Sequence, residues 1–351
     1  MLAELSMPDG RRIPDPKPLA NNISGDLERL TGRTVVSSLD LNKSEMLDLF
    51  SVAARLQTGE TAPAALHGKV VLTAFFEPST RTRLSFESAA HRLGASVISI
   101  ADASVTSVEK GETFADTGVM FDSYADVVVL RHFSDTVVDD IRSGGMTTPI
   151  INGGNGCKEH PTQALADWYA LSKWRPQLAD SGPCTNGDQV SVGIVGAPRR
   201  MRSNRSFLLM GAKHFGPIIR DVTVISDEPE PIDAEVESVL DSEGIDYRST
   251  NEFDDVVRGF DIIYQNSLAL DGAKYRELGA QYRIDSDTCL KPDAVVMHPL
   301  ARHAELGTDL DNTPHNLYFD QAAGAVFVRQ ALLLAISGRL DALTETVTET
   351  D

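Results

Sequence analysis

Cysteine is scarce in this sequence. Only Cys157, Cys184 and Cys289 occur among 351 residues, and no two of them have the C-x-x-C spacing. That scatter argues against a disulfide framework and against a structural zinc site. We therefore expect a protein of a reducing compartment without a bound metal.

Positive charge is also in short supply. The chain has 32 lysines and arginines against 51 aspartates and glutamates, which gives a formal net charge of -19. A chain this acidic is a poor candidate for a broad basic surface, so we expect neither nucleic acid nor an anionic membrane as a partner. Any anion that the protein binds must be held by a local cluster of donors.

Long apolar runs are missing as well. The opening segment, MLAELSMPDGRRIPDPKP, lacks the apolar core of a signal peptide, and no uncharged apolar run reaches 18 residues. These absences predict a cytoplasmic protein without a membrane segment.

What the sequence does contain is a regular alternation of strand-like and helix-like segments. Its length suffices for two domains with separate cores. Strands are predicted at residues 70–76, 96–100, 127–130 and 149–151, and again at 190–195, 222–225, 261–264 and 294–297. Helices are predicted at residues 41–56, from 80 onward, 113–124, 136–143, 164–173, 203–215, 233–243, 253–258 and 321–336. This order predicts an α/β fold with parallel sheets.

The segment FFEPSTRTR, residues 75–83, joins the first predicted strand to a helix. Free N–H groups at the helix start, the hydroxyls of Ser79, Thr80 and Thr82, and the guanidinium of Arg81 together form a concentrated anion site. A phosphate group would fit it. The alternative is an ordinary Ser/Thr helix cap beside an exposed arginine.

Polar residues also follow other strands of the first series. Ligands of parallel sheets bind outside the carboxyl ends of the strands. Arg131 and His132 follow the third strand, and Asn152 to Gly156 follow the fourth and lead to His160 and Gln163. A single histidine before a helix is often a cap or a packing residue. Its position beside the other polar clusters favours a functional His160.

The second series of strands carries a weaker signal for a nucleotide. Its first strand ends in Gly193 to Gly196, but Ala197 and Pro198 follow, so the G-x-G-x-x-G spacing is missing and a dinucleotide cofactor is disfavoured. The basic loop Arg199-Arg200-Met201-Arg202 is more informative, because it follows a strand on the expected ligand side. The alternative is a run of surface arginines.

Six segments in register then point to a known family: FFEPSTRTRLSFESAAHRLGA, EKGETFADT, VLRH, EHPTQALADWY, VMHPLARHAELGTDLDNTPH and YFDQAAGAVFVRQALLLAI. With them the chain resembles the aspartate/ornithine carbamoyltransferase family, most closely its aspartate carbamoyltransferase catalytic chains. The resemblance implies two doubly wound parallel-sheet domains with a C-terminal helix returning to the first. It also implies a homotrimer with shared active sites.

On this basis the chain divides into three parts. Residues 1–30 are expected to form a flexible extension. Residues 31–165 plus 318–345 correspond to the carbamoyl-phosphate-binding domain, and residues 166–317 to the domain that binds the acceptor, a small amine or amino acid. Ser79, Thr80, Arg81 and Thr82 match the segment that holds the phosphate. Lys110, within E-K-G-E-T, resembles the lysine that reaches into the next subunit's site.

The resemblance also implies the chemistry of the donor side. Arg131 resembles the arginine that touches both the phosphate and the carbonyl oxygen, His160 the histidine that donates to that oxygen, and Gln163 the glutamine that accepts from the carbamoyl NH2. An amine attacks the carbonyl carbon, and Arg81, Thr82, Arg131 and His160 are the catalytic candidates. Thr82, Arg131 and His160 would stabilise the negative oxygen as fixed donors. The leaving phosphate can accept the amine proton, so no cofactor is required.

The acceptor side matches the family only in part. Arg202 stands where the family binds the acceptor's α-carboxylate, and the backbone carbonyls of Pro299 and Leu300 would hold the amine. After the strand DIIY, however, aspartate enzymes carry a T-R-x-Q segment, whereas this chain has Gln265-Asn266-Ser267-Leu268-Ala269, with Ser267 in the arginine position. Losing that partner for a second carboxylate would cost roughly 2–5 kcal/mol. Ala301 also replaces a proline, which leaves open whether the Leu300–Ala301 bond is cis.

Three functional hypotheses follow. The first is an N-carbamoyltransferase for a small amino acid or amine other than aspartate, such as 2,3-diaminopropionate, with Gln265, Asn266 and Ser267 near its second amine. The second is an aspartate carbamoyltransferase of pyrimidine synthesis, in which Arg199, Arg200 or another arginine replaces the missing one. The third is a non-catalytic anion-binding or assembly subunit.

Overall fold

The computed structural model describes residues 26–179, 189–266, 268–271, 274–277 and 282–343. Its helices are α1 (Lys43–Gln57), α2 (Thr80–Arg92), α3 (Phe114–Tyr124), α4 (Val137–Arg142), α5 (Pro161–Trp174), α6 (Arg202–Phe215), α7 (Ala234–Ser242), α8 (Phe253–Val256) and α9 (Tyr318–Ile336). Its strands are β1 (Val70–Phe75), β2 (Ser96–Ile100), β3 (Val127–His132), β4 (Ile150–Asn155), β5 (Val190–Val195), β6 (Ile219–Ile225), β7 (Asp246–Thr250), β8 (Ile262–Gln265), β9 (Leu268–Asp271), β10 (Lys274–Glu277) and β11 (Val295–Met297).

These residues form two compact units. The first unit comprises residues 26–165 and 324–343, and the second comprises the described part of residues 166–323. The first unit contains a parallel sheet in the order β2-β1-β3-β4, and the second a parallel sheet in the order β11-β8-β5-β6-β7. Two parallel sheets flanked by helices confirm the predicted fold class.

The core of the first unit explains why its strand ends lie at one edge. Strands β1 and β3 are almost wholly buried, as β-branched sequences such as VVLTAF and VVVLRH favour. Phe121 and Ile141, from α3 and α4, pack in the same apolar cluster as Leu72 and Val128. The parallel register then brings the carboxyl ends of β1, β3 and β4 side by side.

Local signals define the start of α1 and the end of α2 in the first unit. Asn42 accepts from the Glu45 N–H at 3.0 Å, and the Glu45 carboxylate accepts from the Asn42 N–H at 2.8 Å, which completes a capping box for α1. Gly94 follows the end of α2 with φ 79°. A Cβ at that position would lie 2.3 Å from the Pro63 carbonyl oxygen, so only glycine fits there.

The second unit holds strands that the sequence did not predict. Strand β7, with the sequence DYRST, forms an edge of the five-stranded sheet. Strands β9 and β10 form an antiparallel hairpin after β8. Helix α6 is buried along most of its length, from Arg202 to Phe215. It therefore holds its first residue, Arg202, in a fixed position after β5.

Helix α9 links the two units along the chain, and its residues from 324 onward belong to the first unit. By length and composition alone it could cross a membrane. However, 67% of its most apolar window is buried within the protein, as in the core helix of a globular fold. In the first unit, the Arg329 guanidinium stacks over Phe86 of α2 at 4.8 Å. The C-terminal helix thus returns to the first unit, as the resemblance implies.

Candidate active site

Two of the predicted donor-side residues lie against each other in the first unit. Thr82 Oγ1 is 3.3 Å from His160 Nε2, and both side chains are buried. Thr82 is in the first turn of α2, which follows β1. His160 precedes α5, and its carbonyl accepts the N–H groups of Gln163 at 3.0 Å and Ala164 at 3.2 Å. The two side chains provide adjacent hydrogen-bonding groups at the edge of the sheet.

Arg131 is a buried cation of this unit. Its Nη2 lies 2.5 Å from the Oε1 of Glu77, and its Nη1 donates to the Gly153 carbonyl at 3.1 Å. Glu77 is 1% exposed and Arg131 is 7% exposed, so the ion pair is largely shielded from water. A carboxylate and a carbonyl thus hold the guanidinium at the end of β3. Sequence reasoning did not assign Glu77 this role.

The start of α2 is not an ordinary hydroxyl cap. Ser79 occupies the cap position with extended backbone, yet its side chain makes no capping hydrogen bond. Arg81, two residues later, is exposed. The geometry therefore favours the anion site over the ordinary helix cap. The hydroxyl of Ser79 and the first N–H groups of the helix are suited to bind an anion.

A buried polar network holds the segment before His160. The Glu159 carboxylate accepts from Ser38 Oγ at 2.7 Å and from Ser37 Oγ at 3.1 Å. Asn152 Nδ2 donates to the Val36 carbonyl at 2.8 Å. These contacts join residues more than 100 positions apart and anchor both sides of the loop after β4. Glu159 is a second residue whose role sequence reasoning missed.

The remaining donor-side candidates lie in different settings. Gln163 is half-buried in the first turn of α5, whereas Thr80 is exposed at the start of α2. Lys110 is exposed at the end of a short 3-10 helix, Ser107–Lys110, and Gly111 ends that helix with φ 93°. An exposed lysine of this kind is accessible to another molecule.

The predicted acceptor residues of the second unit are mostly buried. Arg202 begins α6 and is 8% exposed. Asn266 donates to Asn204 Oδ1 at 3.0 Å, so its amide is engaged within the unit. Gln265 donates through Nε2 to the Tyr282 carbonyl at 3.1 Å, which turns its Oε1 away from that carbonyl. Ser267 lies outside the described residues.

The two arginines before Met201 are engaged with acids on the surface. Arg199 Nη1 lies 2.6 Å from Glu230 Oε2, and Arg200 Nε lies 3.6 Å from Glu228 Oε2. The side chains of Arg199 and Glu230 are 53% and 78% exposed. This geometry favours surface ion pairs over the replacement of a missing carboxylate-binding arginine.

The segment His298-Pro299-Leu300 follows β11 and is held by the ring of its own histidine. His298 Nδ1 accepts from the Leu300 N–H at 2.8 Å, and Nε2 lies 2.9 Å from Glu305 Oε1. Burial alone would raise the pKa of Glu305, but hydrogen bonds from His298 and from the His303 N–H outweigh it and hold the pKa at about 2. Leu300 has φ 56°, and the Leu300–Ala301 peptide bond is cis.

Among the described residues, no group of three or more His, Cys, Asp and Glu side chains is placed to hold a metal ion. Comparison with known families gives two adjacent matches. Residues 33–173 match the family described as "Aspartate/ornithine carbamoyltransferase, carbamoyl-P binding domain". Residues 189–336 match the companion family, "Aspartate/ornithine carbamoyltransferase, Asp/Orn binding domain".

Individual relatives agree with these matches. The chain is 36% identical to the aspartate carbamoyltransferase catalytic subunit of Hyperthermus butylicus, over 88% of this chain and 97% of that one. It is 34% identical to the subunit of the same name from Chromobacterium violaceum, over 85% and 96%. The structure of Trypanosoma cruzi aspartate transcarbamoylase in complex with aspartate and phosphate superimposes with a TM-score of 0.77, at 29% identity, over 88% of this chain and 97% of that one.

Proposed function

The chain belongs to the aspartate/ornithine carbamoyltransferase family and is a carbamoyltransferase that uses carbamoyl phosphate, and we propose that it transfers the carbamoyl group to the amine of an amino acid bound through its α-carboxylate. The observation that carries this proposal is the grouping of hydrogen-bonding side chains in the first unit. Thr82 and His160 lie 3.3 Å apart, on a unit that also presents Arg131 at the end of β3.

The reaction follows from those groups. The amine nitrogen forms a bond to the carbonyl carbon, negative charge collects on the carbonyl oxygen, and the bond from that carbon to the phosphate oxygen breaks. Thr82, Arg131 and His160 stabilise the oxygen, because donors that are already fixed need not reorganise when the charge develops. Ser79, Thr80 and Arg81 bind the phosphate, and Gln163 orients the carbamoyl NH2. The departing phosphate takes the proton that the amine loses.

Aspartate is the acceptor that the relatives support best. The relatives from Hyperthermus butylicus and Chromobacterium violaceum are named as aspartate carbamoyltransferases, and the chain matches them over nearly their whole length. Arg202 is buried at the start of α6, where it would bind the α-carboxylate in a low-dielectric setting. The carbonyls of Pro299 and Leu300 would accept hydrogen bonds from the attacking amine.

A second candidate is an acceptor without a second carboxylate. It is favoured by one observation: Arg199 and Arg200, the arginines considered as substitutes for the family's second arginine, are paired with Glu230 and Glu228. Ser267 stands in that arginine's position in the sequence. A diamino acid such as 2,3-diaminopropionate would offer its α-carboxylate to Arg202 and would require no second cation.

Phosphate release from carbamoyl phosphate, measured against a panel of amino acids and amines, tests these proposals. We expect saturable release with at least one α-amino acid, together with a ureido product identified by mass. Saturation by L-aspartate at millimolar concentration would establish the first candidate and eliminate the second. Turnover with 2,3-diaminopropionate but not with aspartate would do the reverse. Failure with every amine would contradict carbamoyl transfer to an amino acid.

We also propose that the protein assembles as a homotrimer in which Lys110 completes a neighbour's site. The first unit exposes several large apolar side chains: Leu84, Ile98, Val119, Met120 and Tyr124. Ile98 lies on β2, an edge strand whose side chains are mostly exposed. An exposed edge and apolar side chains of this size are features that a subunit contact would cover.

Mixing two inactive variants is expected to restore activity if sites are shared. Lys110→Ala and His160→Ala should each be nearly inactive alone. Coexpressed with different tags and purified through both, they should form mixed trimers with about a third of wild-type activity, because one of the three sites in each such trimer combines an intact lysine with an intact histidine. Mixed trimers that remain as inactive as the parents would place both residues in the site of one subunit.

A further inference from the structure

A buried chain of hydrogen bonds in the second unit ends at the segment His298-Pro299-Leu300. Asp167, on α5, accepts from the Tyr264 hydroxyl at 2.8 Å and from Gln321 Nε2 at 2.6 Å. Gln321, on α9, accepts through Oε1 from the backbone N–H of His298 at 3.0 Å. Asp167, Tyr264, Gln321 and His298 are each no more than 2% exposed. The chain is therefore shielded from water throughout.

The amide of Gln321 has a defined orientation because one neighbour accepts a hydrogen bond from it and the other donates one to it. The Asp167 oxygen that faces Gln321 accepts a hydrogen bond from it, so Nε2 is turned toward Asp167. A backbone N–H can only donate, so Oε1 must face His298. The two demands agree, and no rotated amide satisfies either of them. The Asp167 oxygen and the His298 N–H thus together fix which atom of Gln321 is presented to His298.

The same histidine carries this constraint to Leu300. Its Nδ1 accepts from the Leu300 N–H, so the ring hydrogen is on Nε2 and is donated to the Glu305 carboxylate. The backbone of His298 is thus held by Gln321, and its ring by Glu305. The Leu300 N–H belongs to the same peptide group as the Pro299 carbonyl, so the ring of His298 directly fixes the orientation of that peptide group, and the Leu300 carbonyl follows one residue later.

We propose that Asp167 and Gln321 are positioning residues for the acceptor amine, and that they act by setting the backbone of His298-Pro299-Leu300. This inference rests on the proposed function, in which the Pro299 and Leu300 carbonyls receive the amine. Neither Asp167 nor Gln321 touches the substrates. A shift of this segment would move the two carbonyls relative to the attacking nitrogen and would leave the phosphate-binding residues of α2 unchanged.

Exchanging the carboxyl and amide side chains between positions 167 and 321, one substitution at a time, tests the proposal. Gln321→Glu places a second carboxylate beside Asp167, and the repulsion should displace the His298 segment. We expect the KM for the acceptor to rise by about tenfold or more, with the KM for carbamoyl phosphate unchanged. Adding Asp167→Asn restores the hydrogen bonds of this chain, because the new amide donates to the introduced carboxylate at position 321 while its oxygen still accepts from Tyr264. The double variant should return to within about threefold of the wild-type acceptor KM.

The control is Tyr264→Phe, which removes a hydrogen bond from the same buried group but leaves the orientation of Gln321 unchanged. It should lower the melting temperature without changing the acceptor KM. Loss of folded enzyme lowers the apparent kcat but does not change the KM. A change in the acceptor KM therefore reports an effect on acceptor positioning, whereas a change in kcat alone can reflect lower stability. The acceptor is whichever amino acid gives the highest wild-type turnover in the panel.

The possible outcomes are distinct. Recovery of the acceptor KM in the double variant, when Gln321→Glu alone has a raised acceptor KM, supports the proposal. A double variant no better than Gln321→Glu, or a Gln321→Glu enzyme with an unchanged acceptor KM, overturns it. A wild-type enzyme that carbamoylates no amine removes the proposed function and this inference together.

Discussion

Replacing His160 with alanine should lower kcat by a factor of about 10²–10³, which is the usual effect of removing one fixed donor to a developing oxyanion. The side chain is 4% exposed and lies 3.3 Å from Thr82 Oγ1, so water cannot easily take its place. Because its contribution is largest in the transition state, the KM for carbamoyl phosphate should change much less than kcat. Initial-rate kinetics of phosphate release measure both quantities.

Two further variants make this test specific. His160→Asn keeps a side-chain donor and should recover part of the lost rate. His67→Ala removes an exposed histidine from a turn before β1 and should leave the kinetics at wild-type values. If His160→Ala retained full kcat with a normal circular dichroism spectrum, the oxyanion role of His160 would be wrong.

Replacing Arg202 with alanine should raise the KM for the acceptor by at least about 30-fold, while the KM for carbamoyl phosphate stays near its wild-type value. Truncation of one partner of a buried charge pair costs about 2–5 kcal/mol, since the remaining carboxylate loses its counter-ion in a desolvated site. Arg202 is 8% exposed, so the interaction is only weakly screened. Acceptor saturation curves at fixed carbamoyl phosphate give the required comparison.

Arg200→Ala is the matched control for this prediction. Arg200 is two residues away and makes a surface ion pair with Glu228 at 3.6 Å, which is worth at most about 1 kcal/mol. Its removal should change the acceptor KM by less than about fivefold. A large increase specific to aspartate would instead show that Arg200 binds the second carboxylate, and would favour a dicarboxylate acceptor. An unaltered KM in Arg202→Ala would refute the carboxylate role of Arg202.

The sequence predicted the buried strands well because their residues repeat a strong apolar pattern. The predicted strands 70–76 and 190–195 match the buried strands β1 and β5 to within one residue. Strand β7 was missed because DYRST is half exposed at a sheet edge and lacks apolar density. The hairpin β9–β10 begins only three positions after the last residue of β8, so no strong turn signal separates the two strands in the sequence.

The site was predictable where its residues belong to contiguous motifs and not where they depend on distant pairing. Ser79 to Thr82 and His160 stand in short segments at strand ends, and the family resemblance assigns their roles. The pairing of Arg131 with Glu77 spans 54 positions, and that of Glu159 with Ser38 spans 121. No local periodicity encodes such pairs. They emerge only when the order of strands in the sheet is known.

The ion pair between Arg131 and Glu77 has a consequence for the interval between two turnovers. When phosphate leaves, an isolated buried guanidinium would face a desolvation cost of several kcal/mol. Glu77 lies 2.5 Å from the guanidinium, so this charge has a counter-ion that belongs to the protein itself. Product release therefore need not be accompanied by collapse of the site or by recruitment of a replacement anion. The ion pair thus keeps the Arg131 guanidinium in position between one turnover and the next.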